Sequence, residues 1–226
     1  MAMSEATKKI IEQLNEGLSI GLEFGRAKWR LLERSGNRVL LLSEDIIEHA
    51  PFDRSIGEEF ISWRESHLRK HMDRDLPMAL FSDMEYGCIE ATCTAASINP
   101  AYEMRDDGTV DRLFPLSIEE VDRYFGDGNM LNRWRMANAV DGTQSDVIGD
   151  MYNESRIAKL PGTNFDWWWL RTPGVRVDTR GQFGWVPGYV RHHQCYVGNK
   201  GRINAWGSPY DDRNGGIRPA MWLRCD

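Results

Sequence analysis

The last sixty residues constrain the fold of this chain most strongly. Residues 167–174 read Trp-Trp-Trp-Leu-Arg-Thr-Pro-Gly, and residues 215–223 read Gly-Gly-Ile-Arg-Pro-Ala-Met-Trp-Leu. The segment between these apolar blocks is rich in Gly, Trp, Tyr and Arg and has almost no continuous apolar run. Two rigid anchors around an irregular polar and aromatic segment are typical of a scaffold that presents a recognition surface. The pattern therefore favours a binding module over a catalyst.

Composition is that of an ordinary globular protein, with 41% hydrophobic and 27% charged residues in 226. The chain is long enough for one large domain or two small ones. No apolar run approaches the ~20 residues that span a bilayer, so we predict no membrane span. The polar N-terminus lacks the apolar core of a signal peptide, and we expect the protein in the cytoplasm or in a phage particle.

Charge and cysteine content exclude two further classes of protein. The four cysteines are too scattered for a disulfide framework, and reduced thiols are expected. Residues 165–226 carry a net charge of +4, whereas residues 1–164 carry −10. A basic, aromatic surface can bind nucleic acid. The dispersed Lys and Arg and the overall charge of −6 instead favour a solvated face, which makes nucleic acid a disfavoured partner.

The N-terminal part predicts an amphipathic helix within residues 1–20, followed by a hairpin. Ile10, Leu14 and Leu18 recur at helical spacing. This helix would pack on the body of the protein or on a partner chain, which leaves a homo-oligomer open. Two apolar-rich runs, 27–33 and 38–42, flank a turn sequence and predict a β-hairpin.

Three capping boxes predict helix starts, since Ser and Glu three residues apart satisfy each other's backbone donors. They begin at Ser62, Ser82 and Ser117. Ser43, followed by two acidic residues, predicts a further short helix. Residues 92–113 are predicted to be loop, and residues 126–163 irregular with a weak helical pattern near 131–139. No internal repeat or linker is seen, and residues 21–226 are predicted to form one α+β domain.

Four segments together resemble one protein family. They are the opening hairpin at 24–43, the Trp-Arg-Glu-Ser-His-Leu-Arg sequence at 63–69, the Leu-Phe-Pro-Leu-Ser-Ile-Glu-Glu-Val sequence at 113–121, and the two closing blocks. The family is a largely uncharacterised bacterial and phage domain with a C-type-lectin-like fold. It is similar to variable proteins of diversity-generating retroelements and, more distantly, to the formylglycine-generating-enzyme group. The resemblance covers roughly residues 22–224. Thr172, where the family usually has Ser, departs from the pattern, as do the irregular stretches 92–111 and 126–164.

The resemblance implies a C-type-lectin-like α+β fold with short, mostly antiparallel strands and a ligand-facing surface at about residues 185–214. In retroelement-linked members, adenine-directed mutagenesis diversifies codons just ahead of the invariant ending. Tyr and Trp supply rigid contact area, and Arg, Asp and Ser supply orientable polar contacts. We expect an unknown protein or glycan as the ligand and no cofactor. The predicted ligand-binding residues are Trp185, Tyr189, Arg191, His192, His193, Tyr196, Asn204, Trp206, Ser208, Tyr210, Asp211, Asp212, Arg213 and Asn214.

Other chemistries remain as alternatives. His192, His193 and Cys195 form a metal-like cluster, but adjacent histidines on a strand point to opposite faces, so no metal site is predicted. The resemblance to the formylglycine-generating group raises a cysteine-dependent oxidoreductase. Cys195 or Cys225 would need an activating base such as His193, and we predict no catalytic residues. A third alternative is a structural module of a phage or cell surface.

Two further side-chain groups are predicted to stabilise the fold. At least two of the three consecutive tryptophans, Trp167 to Trp169, are expected in the core, because alternate strand residues face opposite sides. Arg171 and Arg218 are expected to pair with buried carboxylates or carbonyls rather than with a ligand.

Overall fold

The computed structural model describes residues 5–55, 59–141, 145–163, 166–180 and 190–225. The protein has an α+β architecture in which the sheets are mostly antiparallel. Trp185 and Tyr189 of the predicted ligand-binding segment lie outside the described residues. Within the described part of the chain, no helix is long and apolar enough to cross a bilayer.

The helices of the described residues follow chain order. They are α1 (Glu5–Asn15), α2 (His67–Leu80), α3 (Asp83–Cys88), α4 (Ile118–Tyr124), α5 (Met130–Asp141) and a 3-10 helix (Asn153–Arg156). The predicted N-terminal helix is present as α1. Ile10 and Leu14 on its apolar face are buried in the common core, so this helix packs on the body of the protein.

The strands are numbered in the same way. They are β1 (Leu22–Phe24), β2 (Ala27–Ser35), β3 (Arg38–Ser43), β4 (Glu48–His49), β5 (Ile89–Glu90), β6 (Thr92–Thr94), β7 (Thr109–Asp111), β8 (Val147–Ile148), β9 (Trp168–Asp178), β10 (Val190–Val197), β11 (Ile203–Pro209), β12 (Gly216–Ile217) and β13 (Ala220–Arg224).

One sheet joins the two ends of the chain in the order β1-β2-β3-β13-β5. The predicted hairpin is confirmed as β2 and β3, which pair antiparallel. Strand β13, from the second apolar block, pairs with β3 and places Met221 opposite Leu41 and Leu223 opposite Val39. All four side chains are buried. The closing block is therefore an integral part of the core sheet.

The second sheet has the order β4-β12-β9-β10-β11-β8 and carries the segment of interest. Strand β9 begins in the first apolar block, and β12 belongs to the second. The two strands run parallel, with Gly216 paired to Trp168. Strands β10 and β11 follow β9 as antiparallel neighbours. The bracketing blocks thus meet in the same sheet, beside the strands that they enclose in sequence.

Two of the three capping boxes are confirmed, at Ser82 and Ser117. The helix start at Ser62 is wrong, because residues 63–65 form a turn and α2 begins one turn later. Its N-cap is Ser66, whose side chain accepts a hydrogen bond from the backbone N–H of Arg69. The short helix predicted at Ser43 is also wrong, since Ser43 ends β3 and its N–H donates to Pro219.

The stretches predicted to be irregular contain more structure than their sequences indicate. Strands β6 and β7 form a short antiparallel hairpin within the predicted loop 92–113. The weak pattern near 131–139 is confirmed as a helix, α5. Such short elements have little periodicity to detect, and neighbouring chain segments stabilise them.

Candidate functional site

The three consecutive tryptophans lie at the start of β9, the strand next to β10 in the candidate site. Trp168 and Trp169 are fully buried and Trp167 is half-buried, which confirms that at least two belong to the core. The rings of Trp167 and Trp169 lie on one side of the strand, 4.6 Å apart and edge to face. Trp169 donates its indole N–H to the carbonyl of Ala50 (2.8 Å). This partly buried hydrogen bond joins β9 to the segment that follows β4.

Arg218 links the second apolar block to the rest of the fold. Its guanidinium donates to the carbonyls of Ser43 (3.0 Å), Glu44 (3.2 Å) and Arg156 (3.2 Å). It also stacks over Trp168 at 5.0 Å. Complete burial lowers the pKa of Arg218 to about 9. The expected structural role of this residue is confirmed.

Arg171 has the same kind of role in the first block. Its guanidinium donates to the carbonyl of Pro115 (3.1 Å) and makes a two-pronged ion pair with Glu120. Glu120 also accepts from the backbone of Ser117 as part of the capping box of α4. The buried Arg171 thereby fixes the start of this helix against β9.

Close contacts hold β10 against β9 and β11 against β10. The Gln194 side chain donates to the carbonyls of Leu170 (2.7 Å) and Thr172 (2.8 Å). Gly207 has a φ of +91°, and a Cβ at that position would lie 2.5 Å from the Gln194 carbonyl oxygen. Both the conformation and the close approach require glycine there. The side chains of β10 and β11 therefore project from a closely packed backbone.

Backbone and side-chain hydrogen bonds fix the turn that follows β11. Tyr210 donates its N–H to His192 (3.3 Å) and accepts from the N–H of Asp53 (3.0 Å). Within the turn, Asp212 accepts from the Ser208 hydroxyl (2.8 Å) and from the N–H of Asn214 (3.0 Å). Asp212 acts here as a turn residue, as short polar side chains commonly do.

The predicted ligand-binding residues fall into three groups by exposure. The exposed side chains are Arg191, Trp206, Arg213 and Asn214. The half-buried side chains are His193, Tyr196, Asn204, Ser208, Asp211 and Asp212. The buried side chains are His192 and Tyr210. Ten of the twelve described members therefore reach the surface at least in part.

An aromatic group centred on Trp206 lies at the surface of β11. Trp206 is 38% exposed although its ring is large. The ring of Tyr102 meets it edge to face at 5.7 Å and that of His193 at 6.2 Å. Partial burial, and then the Asp146 carboxylate that accepts its hydroxyl, raise the pKa of Tyr102. Sequence reasoning missed Tyr102, which comes from a loop with no periodicity.

His192, in β10, and Tyr210, just after β11, are buried on the interior side. Their rings stack at 6.0 Å with an interplanar angle of 25°. Phe60 covers His192 at 5.6 Å, and Phe52 packs on Tyr210 at 5.2 Å. In this arrangement the two side chains support the surface, and we leave them out of the proposed contact area.

Cys195 is buried in a setting that suppresses thiol reactivity. Its thiol lies within hydrogen-bond distance of the Pro173 carbonyl (3.3 Å), and the Asn99 amide lies 3.4 Å from the sulfur. Burial raises the pKa of Cys195 well above its ordinary value. His193 has its Nδ1 near the Gly207 carbonyl (3.3 Å) instead. A thiolate, the reactive form of cysteine, is thus strongly disfavoured at this position.

A polar cleft of about 630 Å³ lies beside the turn and was not predicted from the sequence. Asp211 and Arg213 line it together with His49, His67 and His71. These histidines are distant in sequence from the predicted segment, and β4 and α2 bring them next to it. The sequence signal for this cleft was the spacing of His67 and His71, which lie four residues apart on α2.

One protein family matches most of the chain. The family described as "Domain of unknown function (DUF6273)" matches residues 36–225. No curated protein and no solved structure matches the chain. The matched range contains both apolar blocks, β10, β11 and the polar cleft.

Proposed function

The chain belongs to the DUF6273 family, and we propose that it is a non-catalytic, receptor-type protein with a C-type-lectin-like fold. Its displayed surface consists of the exposed side chains of β10, β11 and the following turn. We propose further that it is the variable protein of a diversity-generating retroelement, in which this surface is hypervariable. The ligand is a protein or a glycan.

One observation carries the proposal. Along β10 and β11, outward-facing side chains lie beside buried ones, and the close approach of Gly207 to Gln194 fixes the backbone between the two strands. Arg191 and Trp206 face outward, whereas His192 and Ala205, their neighbours in sequence, are buried. Surface positions of this kind accept many side chains at little cost, because they fill no cavity in the core. A display surface needs this separation of variable and fixed positions.

The chemistry of the outward residues also suits recognition. Trp206 offers a large, rigid ring with two neighbouring aromatic edges. Arg191 and Arg213 add exposed guanidinium groups. Trp, Tyr and Arg dominate the binding energy of protein interfaces, and aromatic faces also stack on sugars. The suppressed reactivity of Cys195 argues against this residue as the reactive thiol of a cysteine-dependent oxidoreductase.

The display proposal can be tested with two libraries of the full chain on phage. The first library randomises the exposed positions Arg191, Trp206, Arg213 and Asn214. The matched library randomises the buried positions His192, Gln194, Ala205 and Tyr210. After selection for protease resistance, the first library should remain diverse and the second should return to the parental or closely similar side chains.

The surviving first library is then selected on lysozyme and on a purified mannan as defined probes. We expect clones that bind one probe and lose binding when their four codons revert. Collapse of the first library under protease, or binding unchanged by reversion, would contradict a display surface.

A further inference from the structure

A bulge in β11 presents Trp206 at the surface of the sheet. Residues 205–207 of β11 lie between two paired positions that only Cys195 separates in β10. Bulges bend a strand locally and re-aim the side chains that they carry. Trp206 lies within this bulge and keeps 38% of its surface exposed. The strand irregularity therefore displays a large aromatic ring.

One buried amide fixes this bulge relative to a distant loop. The Asn99 Nδ2 donates to the carbonyl of Ala205 (2.8 Å), and the Asn99 Oδ1 accepts from the backbone N–H groups of Ala101 (2.9 Å) and Tyr102 (3.2 Å). Asn99 is fully buried, where hydrogen bonds are stronger than in water. The loop places the Tyr102 ring 5.7 Å from that of Trp206, with an interplanar angle of 80°. The separation of the two rings is thus set before any ligand binds.

The polar groups beside the indole include two hydrogen-bond acceptors. Tyr102 donates its hydroxyl to the Asp146 carboxylate, which keeps further acceptor positions. The His193 ring lies 6.2 Å from the indole, and its Nδ1 donates to the Gly207 carbonyl (3.3 Å). Burial lowers the pKa of His193, so at pH 7 the ring is neutral and its Nε2 is an acceptor. Hydroxyl groups can donate to such acceptors, whereas a phosphate or carboxylate ion cannot. Arg191, exposed on the same strand as His193, adds donors.

We propose that Trp206, Tyr102, Asp146 and His193 form a saccharide subsite of the displayed surface. This inference rests on the proposed function and selects a glycan over a protein as the ligand. A pyranose ring has an apolar C–H face, which stacks on an indole, and a rim of hydroxyl groups that both donate and accept. Tyr102 and Asp146 lie outside the segment 185–214. They form the constant part of the subsite, and the displayed positions beside Trp206 select which sugar binds.

The test is saturation-transfer NMR of the full chain with the methyl glycosides of glucose, galactose, mannose and N-acetylglucosamine. We expect at least one glycoside to bind, with the strongest transfer to the protons of its C–H face. Trp206→Ala should weaken that binding at least tenfold, and Trp206→Phe, which keeps an aromatic face, by less. Asp146→Asn should weaken it by a smaller factor than Trp206→Ala, since the amide keeps one acceptor oxygen.

Tyr152→Ala is the matched control. Tyr152 has the same exposed fraction as Trp206, 38%, and it lies outside the cluster of rings around the indole. This variant should bind the glycoside as the parent does. Circular dichroism of each variant separates loss of the subsite from loss of the fold, because removal of either exposed ring should leave the unfolding midpoint nearly unchanged.

Two results would overturn the saccharide subsite. One is the absence of transfer to all four glycosides, and the other is equal affinity in the parent and Trp206→Ala. The subsite and the displayed surface can fail separately. If the library of exposed positions stays diverse and yields binders to lysozyme alone, while no glycoside binds the parent, the display surface stands and its ligand is a protein. If that library collapses under protease but a glycoside binds through Trp206, the subsite stands and the display surface falls.

Discussion

The indole of Trp169 lies so close to Gly215 that a Cβ atom at position 215 would fall 2.0 Å from the Trp169 Nε1. The first residue belongs to the opening apolar block and the second to the closing one. Their contact joins the two ends of the displayed segment on one rigid base. A variable surface requires such a fixed base, because variable side chains are useful only on a backbone that does not move.

Gly215→Ala should therefore destabilise the protein by about 2 kcal/mol or more. The added methyl group must displace a buried ring that is already hydrogen-bonded to Ala50, and overpacking of this kind costs about 1–3 kcal/mol. Urea unfolding monitored by fluorescence measures the change. Gly87→Ala is the matched control, since a Cβ at position 87 meets nothing within 4 Å. Equal stabilities of the two variants would show that the contact does not brace the fold.

Tyr210→Ala should destabilise the protein far more than Trp206→Ala. Trp206 is partly exposed, and its removal should change the free energy of unfolding by less than about 1 kcal/mol. Tyr210 is enclosed by His192 and Phe52, and its removal should cost about 3–5 kcal/mol. Thermal unfolding of both variants makes the comparison. A larger loss for Trp206→Ala would remove this residue from the displayed surface.

Thiol labelling should separate Cys93 from Cys195. Cys93 is exposed and should react with a disulfide reagent in the folded protein, whereas the buried Cys195 should react only after unfolding. Mass spectrometry of labelled peptides identifies the site of reaction. Rapid labelling of Cys195 at neutral pH would indicate a thiolate and revive the cysteine-dependent enzyme.

Asp106 should make stability depend on pH in the acidic range. Burial raises its pKa to about 6, so between the unfolded value near 3.8 and about 6 the folded state holds the extra proton. Stability from this group is therefore present at low pH and is lost as pH rises through 6, by about 3 kcal/mol. The measure is the difference between the pH profiles of urea unfolding for the parent and Asp106→Asn. A difference that does not change between pH 4 and 7 would contradict the raised pKa.

Local signals predicted the parts of the fold that carry periodicity or capping chemistry. The hairpin of β2 and β3, the helix around Ile10, and the capping boxes at Ser82 and Ser117 were all of this kind. The box at Ser62 failed because the same Ser and Glu pairing also occurs in a turn, and the competing cap at Ser66 begins the helix.

The candidate site was harder to predict, because it depends on contacts between distant segments. The side chains of His192 and Tyr210 look equivalent to their neighbours in sequence, and only the packing of Phe52 and Phe60 shows that they are buried. Tyr102 joins Trp206 from a loop about a hundred residues away. Strand alternation alone could not identify the faces, since register shifts occur within β10.

Sequencing this gene across a population of its native host would distinguish a hypervariable surface from a fixed one. We expect substitutions concentrated at adenines within codons 186–214, above all at exposed positions such as Arg191, Arg213 and Asn214. Codons 167–174 and 216–223, which encode the supporting blocks, should stay fixed. A segment as invariant as these blocks would contradict a hypervariable surface and would indicate a protein with one fixed function.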